Sequence, residues 1–130
     1  MQLKADILDY SKRHLIVIIP FLYPSWNEIQ RMDRFTRTKA KKKFMGEVIC
    51  ILKPYADPPF AKPVRILVDI YFPKKRRRDN DNYGGKWLID AIVQAGIIPD
   101  DSTKWIPGPL DIQIIDDEGQ HKIMLQIEDV

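Results

Sequence analysis

The chain has 130 residues, the length of one domain, and its net charge of +3 accompanies a sequence pI of about 9.0. Hydrophobic residues make up 45% and charged residues 30%, which is typical of a globular protein and excludes a disordered or fibrous one. No apolar run reaches the roughly 18 residues of a transmembrane helix, and the polar N-terminal segment is unlike a signal peptide. We therefore predict a single cytoplasmic domain over residues 1–130 that does not contact a membrane.

The charges are distributed unevenly along the chain. Residues 31–43 contain seven basic residues and one acid, and residues 74–78 form an unbroken run of five positive charges. Residues 111–130 contain six acids and one base. Like charges at this density repel one another, so each run must be solvated or bound to a partner. Two basic runs in one small domain favour a polyanion, although a solvated surface is the alternative for each run, and more so for residues 31–43 than for residues 74–78.

The first half of the chain predicts strand, helix and strand. An apolar, β-branched segment over residues 14–23 predicts a strand, in which Pro20 indicates an edge position or an early end. Ser25 is a candidate helix N-cap. Apolar residues recur every three or four positions from 36 to 52, which predicts a helix. Strict alternation of apolar and polar residues then predicts a strand over residues 63–72.

The second half predicts one helix followed by strands. The helix is expected over residues 83–95, ended by Gly96. Residues 110–115 and 122–127 flank a glycine-containing turn and predict a hairpin, and residues 104–106 could open a fifth strand. The resulting order is β-α-β-α-β-β, an α/β (α+β) domain with a mixed sheet of four to five strands and two main helices.

The only cysteine, Cys50, excludes a disulfide within the chain and a cysteine-based zinc site. Its neighbours in sequence are apolar, which predicts a buried, inert thiol.

Asp79 and Asp81 lie two residues apart directly after the second basic run. In extended backbone their side chains point to the same face, where two carboxylates repel each other unless a cation lies between them. Hard oxygen ligands at this spacing suit Mg²⁺ or Mn²⁺. Asp100 and Asp101 offer a third ligand, but a helix of roughly 20 Å lies between the two acidic pairs, so only the fold could bring them together. Two aspartates at this spacing are, taken alone, a weak signal.

In combination, these residues resemble the core signature of RusA-type Holliday junction resolvases, which are small, often prophage-encoded endonucleases of bacteria. The resemblance extends from residue 76 to residue 101 and rests on Arg76-Arg77-Arg78-Asp79-Asn80-Asp81-Asn82, then Lys86, Asp90-Ala91, Ala95-Gly96 and Asp100-Asp101. Pro24-Ser25-Trp26-Asn27 is loosely similar to the family's turn after its first strand. One departure concerns Lys86, because three residues precede it (Tyr83, Gly84 and Gly85) where the family usually has two.

The resemblance implies a Mg²⁺-dependent endodeoxyribonuclease, with Mn²⁺ as a possible substitute, that cuts four-way DNA junctions by paired nicks in recombination and repair. It assigns Asp79, Asp81 and Asp101 to catalysis and metal binding, and Lys86 to catalysis. Asp90 matches a recurrent acid of the family, although an ion pair with Lys86 is the alternative. The family is dimeric, and a homodimer with two active sites would match the near two-fold symmetry of a junction. No organic cofactor is expected.

The basic residues are then expected to bind DNA phosphates, which gives affinity and position rather than sequence recognition. These residues are Lys74, Lys75, Arg76, Arg77 and Arg78 beside the aspartates, and Arg37 and Lys41 on the first long helix. Tryptophans could stack on unpaired bases; the core is the favoured place for Trp87 and Trp105, and Trp26 stays open. Two alternative functions also stay open: a branched-DNA-binding module without catalysis, and a related metal nuclease that acts on flaps.

Overall fold

The structure is a computed structural model that describes residues 13–73, 78 and 83–130. Its main elements follow the predicted order of strands and helices, which confirms a mixed α+β domain. The strands are β1 (His14–Ile19), β2 (Val64–Phe72), β3 (Asp111–Asp116) and β4 (Lys122–Asp129), and the helices are α1 (Trp26–Arg31), α2 (Arg34–Leu52) and α3 (Lys86–Gln94). No helix in these ranges is long and apolar enough to cross a membrane.

The four strands form one sheet in the order β1-β4-β2-β3. β4 pairs antiparallel with both β1 and β2, whereas β2 and β3 are parallel neighbours. β1 is an edge strand and ends at Ile19, directly before Pro20, as the proline predicts.

The predicted hairpin between β3 and β4 is wrong, because β2 lies between these two strands. The glycine signal itself was correct, since Gly119 has a φ of 85° in the turn that follows β3. Turn residues determine where the chain reverses, but they do not determine which strand lies alongside. β2 has five buried residues on one face, so it takes an inner position in the sheet.

The predicted fifth strand is also absent from the described residues, where residues 104–106 form a turn and its exit. One backbone bond nevertheless joins this turn to the sheet, because the Val64 amide donates to the Trp105 carbonyl at 2.7 Å.

The hydrophobic core joins the buried face of β2 to α2 and α3. α2 contributes side chains from its C-terminal half, among them Phe44 and Leu52, while its N-terminal turns, which carry most of the basic residues, are exposed. On α3, Leu88, Ala91 and Ile92 are completely buried. Cys50 lies on the outer side of α2 and is exposed, so the prediction of a buried thiol is wrong. Its apolar neighbours in sequence occupy other faces of the same helix.

Local signals set where the helices begin. Ser25 caps α1 in a capping box with Glu28, as its position predicts. α3 begins at Lys86, three residues later than predicted, because Gly85 adopts a left-handed conformation with a φ of 77°. A side chain would be strained there, and a Cβ atom would lie 3.4 Å from the Tyr23 hydroxyl. Tyr83 to Gly85 therefore form an entry to the helix, and Lys86 is its first residue.

Candidate functional site

Two of the three predicted metal ligands, Asp79 and Asp81, lie outside the described residues, as do the predicted DNA contacts Lys74, Lys75, Arg76 and Arg77. In the described ranges no three His, Cys, Asp or Glu side chains lie close enough together to hold a metal ion. The remaining predicted residues are described, and they are Asp101, Lys86, Arg78, Arg37 and Lys41.

The described residues on either side of positions 79–82 both contact Phe72, the last residue of β2. The Arg78 guanidinium lies over the Phe72 ring, 3.8 Å from its centroid. The Tyr83 ring lies 5.3 Å from the same ring, centroid to centroid, in an edge-on arrangement. The Tyr23 hydroxyl also donates to the Tyr83 carbonyl at 2.9 Å. Both flanks of the acidic motif are therefore fixed at the carboxyl end of β2.

Arg78 is a firmly held anchor. Its Nη1 atom donates to Asp116 Oδ1 at 2.7 Å, and only 8% of its side chain is exposed. Asp116 ends β3 and is the parallel neighbour of Phe72. The predicted role of Arg78 in holding a DNA phosphate stays a prediction, since its contacts described here tie the chain after β2 to the adjacent strand.

Lys86 belongs to a cluster of two lysines around one carboxylate. Its Nζ atom lies 3.3 Å from Asp90 Oδ1, one helical turn along α3, which confirms the predicted ion pair. Lys41 approaches from α2, with its Nζ atom 3.0 Å from Asp90 Oδ2. Sequence spacing could not reveal this second partner, because it comes from another helix.

Asp90 stays charged in this cluster. Partial burial would raise the pKa of Asp90, but the hydrogen bonds and charges of Lys41 and then Lys86 outweigh it, so its pKa lies below the usual value. One carboxylate thus shares its charge between two ammonium groups, and a positive charge remains within this cluster of described residues. The Lys86 side chain is 76% exposed, so this charge is open to a ligand.

A cleft of about 440 Å³ opens beside this cluster, between α1, α2 and the start of α3. Arg37 and Lys41 project into it from one face of α2, and Lys86 borders it from α3. Trp26, Tyr23 and the other lining residues (Ile29, Gly84, Gly85 and Trp87) provide an aromatic and apolar wall. The arrangement can hold a ligand that combines an apolar or aromatic group with negative charge.

Asp101 lies in the loop between α3 and β3, which is held to the chain at the start of β2. The Phe60 amide donates to the Ile97 carbonyl at 2.9 Å, and the Val64 amide reaches the Trp105 carbonyl. Val64 is separated from Phe72 by eight residue steps along β2, roughly 26 Å of strand. The described structure therefore anchors the loop that carries Asp101 and the Arg78 side chain at opposite ends of β2, and it forms no ion pair between Asp101 and Lys86.

The three tryptophans fall in different environments. Trp87 is buried in the core against Phe44, as predicted, and Trp105 is partly buried. Trp26 is 54% exposed and lines the cleft. The sequence left Trp26 open because its place at the first position of α1 does not determine which surface its ring meets.

No model of a known protein family and no curated protein matches the chain.

Proposed function

We propose that the protein is a Mg²⁺-dependent, structure-specific endodeoxyribonuclease that resolves four-way DNA junctions by paired nicks in recombination and repair. The observation that carries the proposal is the setting of the Asp79–Asp81 motif. Its flanks, Arg78 and Tyr83, are held on Phe72, and the chain then leads directly into Lys86 beside a positively charged cleft.

The residues of the motif have the donor chemistry that Mg²⁺ prefers, since carboxylate oxygens are hard ligands. Asp79 and Asp81, with Asp101 as the third acid of the family pattern, would hold the ion. Bound there, Mg²⁺ supplies an activated water and polarises a phosphoryl oxygen.

Lys86 is proposed to stabilise the negative charge that develops on the phosphate during cleavage. It is suited to this because its ammonium group is exposed and, among the described residues, is paired with one carboxylate, which it shares with Lys41. Arg37 and Lys41, with the basic run before the motif, would hold the DNA backbone. Because a junction must be cut on two strands, a homodimer with one site in each chain is the matching assembly.

A cleavage assay tests the nuclease function. A labelled four-way junction is incubated with the protein, with Mg²⁺ or with EDTA, and the products are separated on a denaturing gel. We expect paired nicks only with Mg²⁺, and an Asp81→Asn variant should bind the junction but cut it about 100-fold more slowly or worse, because it lacks one metal ligand. Glu47→Gln, a carboxylate-to-amide change on the exposed side of α2, is the matched control and should cut normally.

Two outcomes would change the assignment. Junction binding without any Mg²⁺-dependent product would overturn the nuclease proposal. If the protein cut a flap faster than a junction, the proposed substrate would change to flaps, and the proposed metal-dependent cleavage would stand.

A branched-DNA-binding module without catalysis is the second candidate, and one observation favours it. The loop that carries Asp101 is anchored at the far end of β2 from Arg78. The wild-type assay separates the two candidates, because the binding module would hold the junction without cutting it. Asp101→Asn then tests the role of Asp101: a loss as large as that of Asp81→Asn requires Asp101 to act in the metal site, whereas unchanged cutting removes it from that site.

A further inference from the structure

Trp26 is an exposed aromatic side chain at a capped helix start. It is the first residue of α1, whose start is fixed by two reciprocal bonds: the Glu28 amide donates to Ser25 Oγ at 3.2 Å, and the Ser25 amide donates to Glu28 Oε1 at 3.1 Å. More than half of the Trp26 surface is nevertheless exposed, on the wall of the cleft. A large aromatic ring that is exposed at a fixed point of the backbone offers a surface on which a ligand can stack.

The charges around Trp26 define what that ligand carries. Arg37 and Lys41 lie one turn apart on α2, and Lys86 borders the cleft from the other side. Among the described residues, only Asp90 pairs with the two lysines, and none forms an ion pair with Arg37. A flat apolar surface beside excess positive charge is complementary to a heteroaromatic base that bears a phosphate.

From this we infer that the cleft binds one unpaired DNA nucleotide, with its base stacked on Trp26 and its phosphate held by Arg37 and Lys86. The inference rests on the proposed function, in which the ligand is branched DNA. The nucleotide must be unpaired, because the faces of a base inside a duplex are covered by its neighbours and a side chain can stack only on a base that has left the helix. A free mononucleotide also presents a base and a phosphate, so it is the second candidate ligand to be tested.

Intrinsic tryptophan fluorescence tests the inference directly. The protein is titrated in EDTA, so that nothing is cut, with a single-stranded thymidine oligonucleotide, a blunt duplex of equal length and thymidine 5′-monophosphate. We expect the single strand to quench the fluorescence most, and Trp26→Leu to remove most of that quenching and weaken single-strand binding about 5- to 100-fold. Trp26→Phe should keep most of the affinity, because it retains a ring that can stack.

Two control variants isolate the cleft. Phe35→Leu removes another exposed aromatic side chain of the same region that does not line the cleft, and it should leave single-strand binding unchanged. Arg37→Gln should weaken binding and reduce the slope of log affinity against log salt by about one, as expected for the loss of one phosphate contact. Each variant is first compared with the wild type by urea unfolding, so that a loss of fold is recognised.

Each alternative result has a definite meaning. Equal binding of single strand and duplex, or unchanged affinity in Trp26→Leu, would overturn the inference. If thymidine 5′-monophosphate bound as tightly as the single strand, the ligand of the cleft would be a free mononucleotide and not a nucleotide of a DNA strand. If the protein cuts junctions but single-stranded DNA does not quench its Trp26 fluorescence, only this inference is refuted. If the fluorescence is quenched but no junction is cut, only the nuclease proposal is refuted.

Discussion

Arg78 and Lys86 are basic residues on the two sides of the same acidic motif, but their surroundings differ. Arg78 is almost fully buried, bonded to Asp116 and stacked on Phe72. Lys86 is mostly exposed and shares Asp90 with a second lysine. Among the described residues, the charge of Arg78 is therefore matched by the carboxylate of Asp116, while Lys86 and Lys41 share the single carboxylate of Asp90.

This difference separates two tasks that a run of basic residues can perform. A cation that is buried with its own carboxylate is needed by the fold, because removing either partner leaves the other as a charge without compensation. A cation at an exposed, under-compensated position contributes little to stability but can bind an anion. We therefore expect a substitution at Arg78 to lower the stability of the fold, and a substitution in the Lys86 cluster to change the binding of DNA.

The largest effect on stability is expected from Arg78→Ala. The change removes a charged hydrogen bond to Asp116 and the cover of the Phe72 ring, which together should cost about 2–4 kcal/mol of unfolding free energy. Urea denaturation measures the loss. Arg65→Ala is the matched control, since its pair with Asp111 also joins β2 to β3 but its side chain is 57% exposed, and it should cost at most about 1 kcal/mol. Equal losses in the two variants would contradict the anchoring role of Arg78.

A smaller effect is expected from Tyr23→Phe, at the other flank of the motif. The change leaves the buried Tyr83 carbonyl without its donor and should cost about 1–2 kcal/mol. Burial, and then the neighbouring Tyr83, raises the pKa of the Tyr23 hydroxyl well above its usual value. A group with a raised pKa stabilises the fold below its unfolded pKa, so the advantage of the wild type should disappear as the pH rises above about 10.

Denaturation of both proteins at pH 7 and above pH 10 measures this dependence. An advantage that persisted at high pH would contradict the assignment of the bond to the neutral hydroxyl.

The smallest effect on stability, and a gain in binding, is expected from Asp90→Asn. The change removes the one carboxylate shared by Lys41 and Lys86, so the unfolding free energy should fall by no more than about 1 kcal/mol. DNA affinity at low salt should rise severalfold, because two ammonium groups lose their competitor. Fluorescence anisotropy of a labelled junction measures this change. Weaker binding would mean that Asp90 positions the lysines instead of competing for them.

Local signals in the sequence predicted the local features of the site. The Ser25 cap, the Gly96 stop and the Lys86–Asp90 pair all depend on residues within four positions of one another, and the structure contains each of them. The contact of Lys41 with Asp90 and the exposure of Trp26 depend on how α1, α2 and α3 pack. No periodicity within one segment carries that information.

The errors at the level of the sheet have the same origin. A turn with Gly119 indicates that the chain reverses, but the burial of β2 between β3 and β4 depends on the whole apolar surface of the domain. The position of Asp101 likewise follows from backbone bonds to Phe60 and Val64, which lie about forty positions earlier.

β4 is the strand that joins β1 to β2, and it is synthesised after both. Glu128 lies opposite His14 on one side and opposite Arg65 on the other, so these pairings close long segments of chain. Such distant pairings slow folding, because the entropy of loop closure is lost before the contacts form. Until β4 leaves the ribosome, no strand connects β1 to β2, and one edge of β2 lacks the strand that pairs with it in the folded sheet. The nascent chain therefore passes through a period in which β2, the strand with the most buried residues, has an unpaired edge, where association with other chains competes with folding.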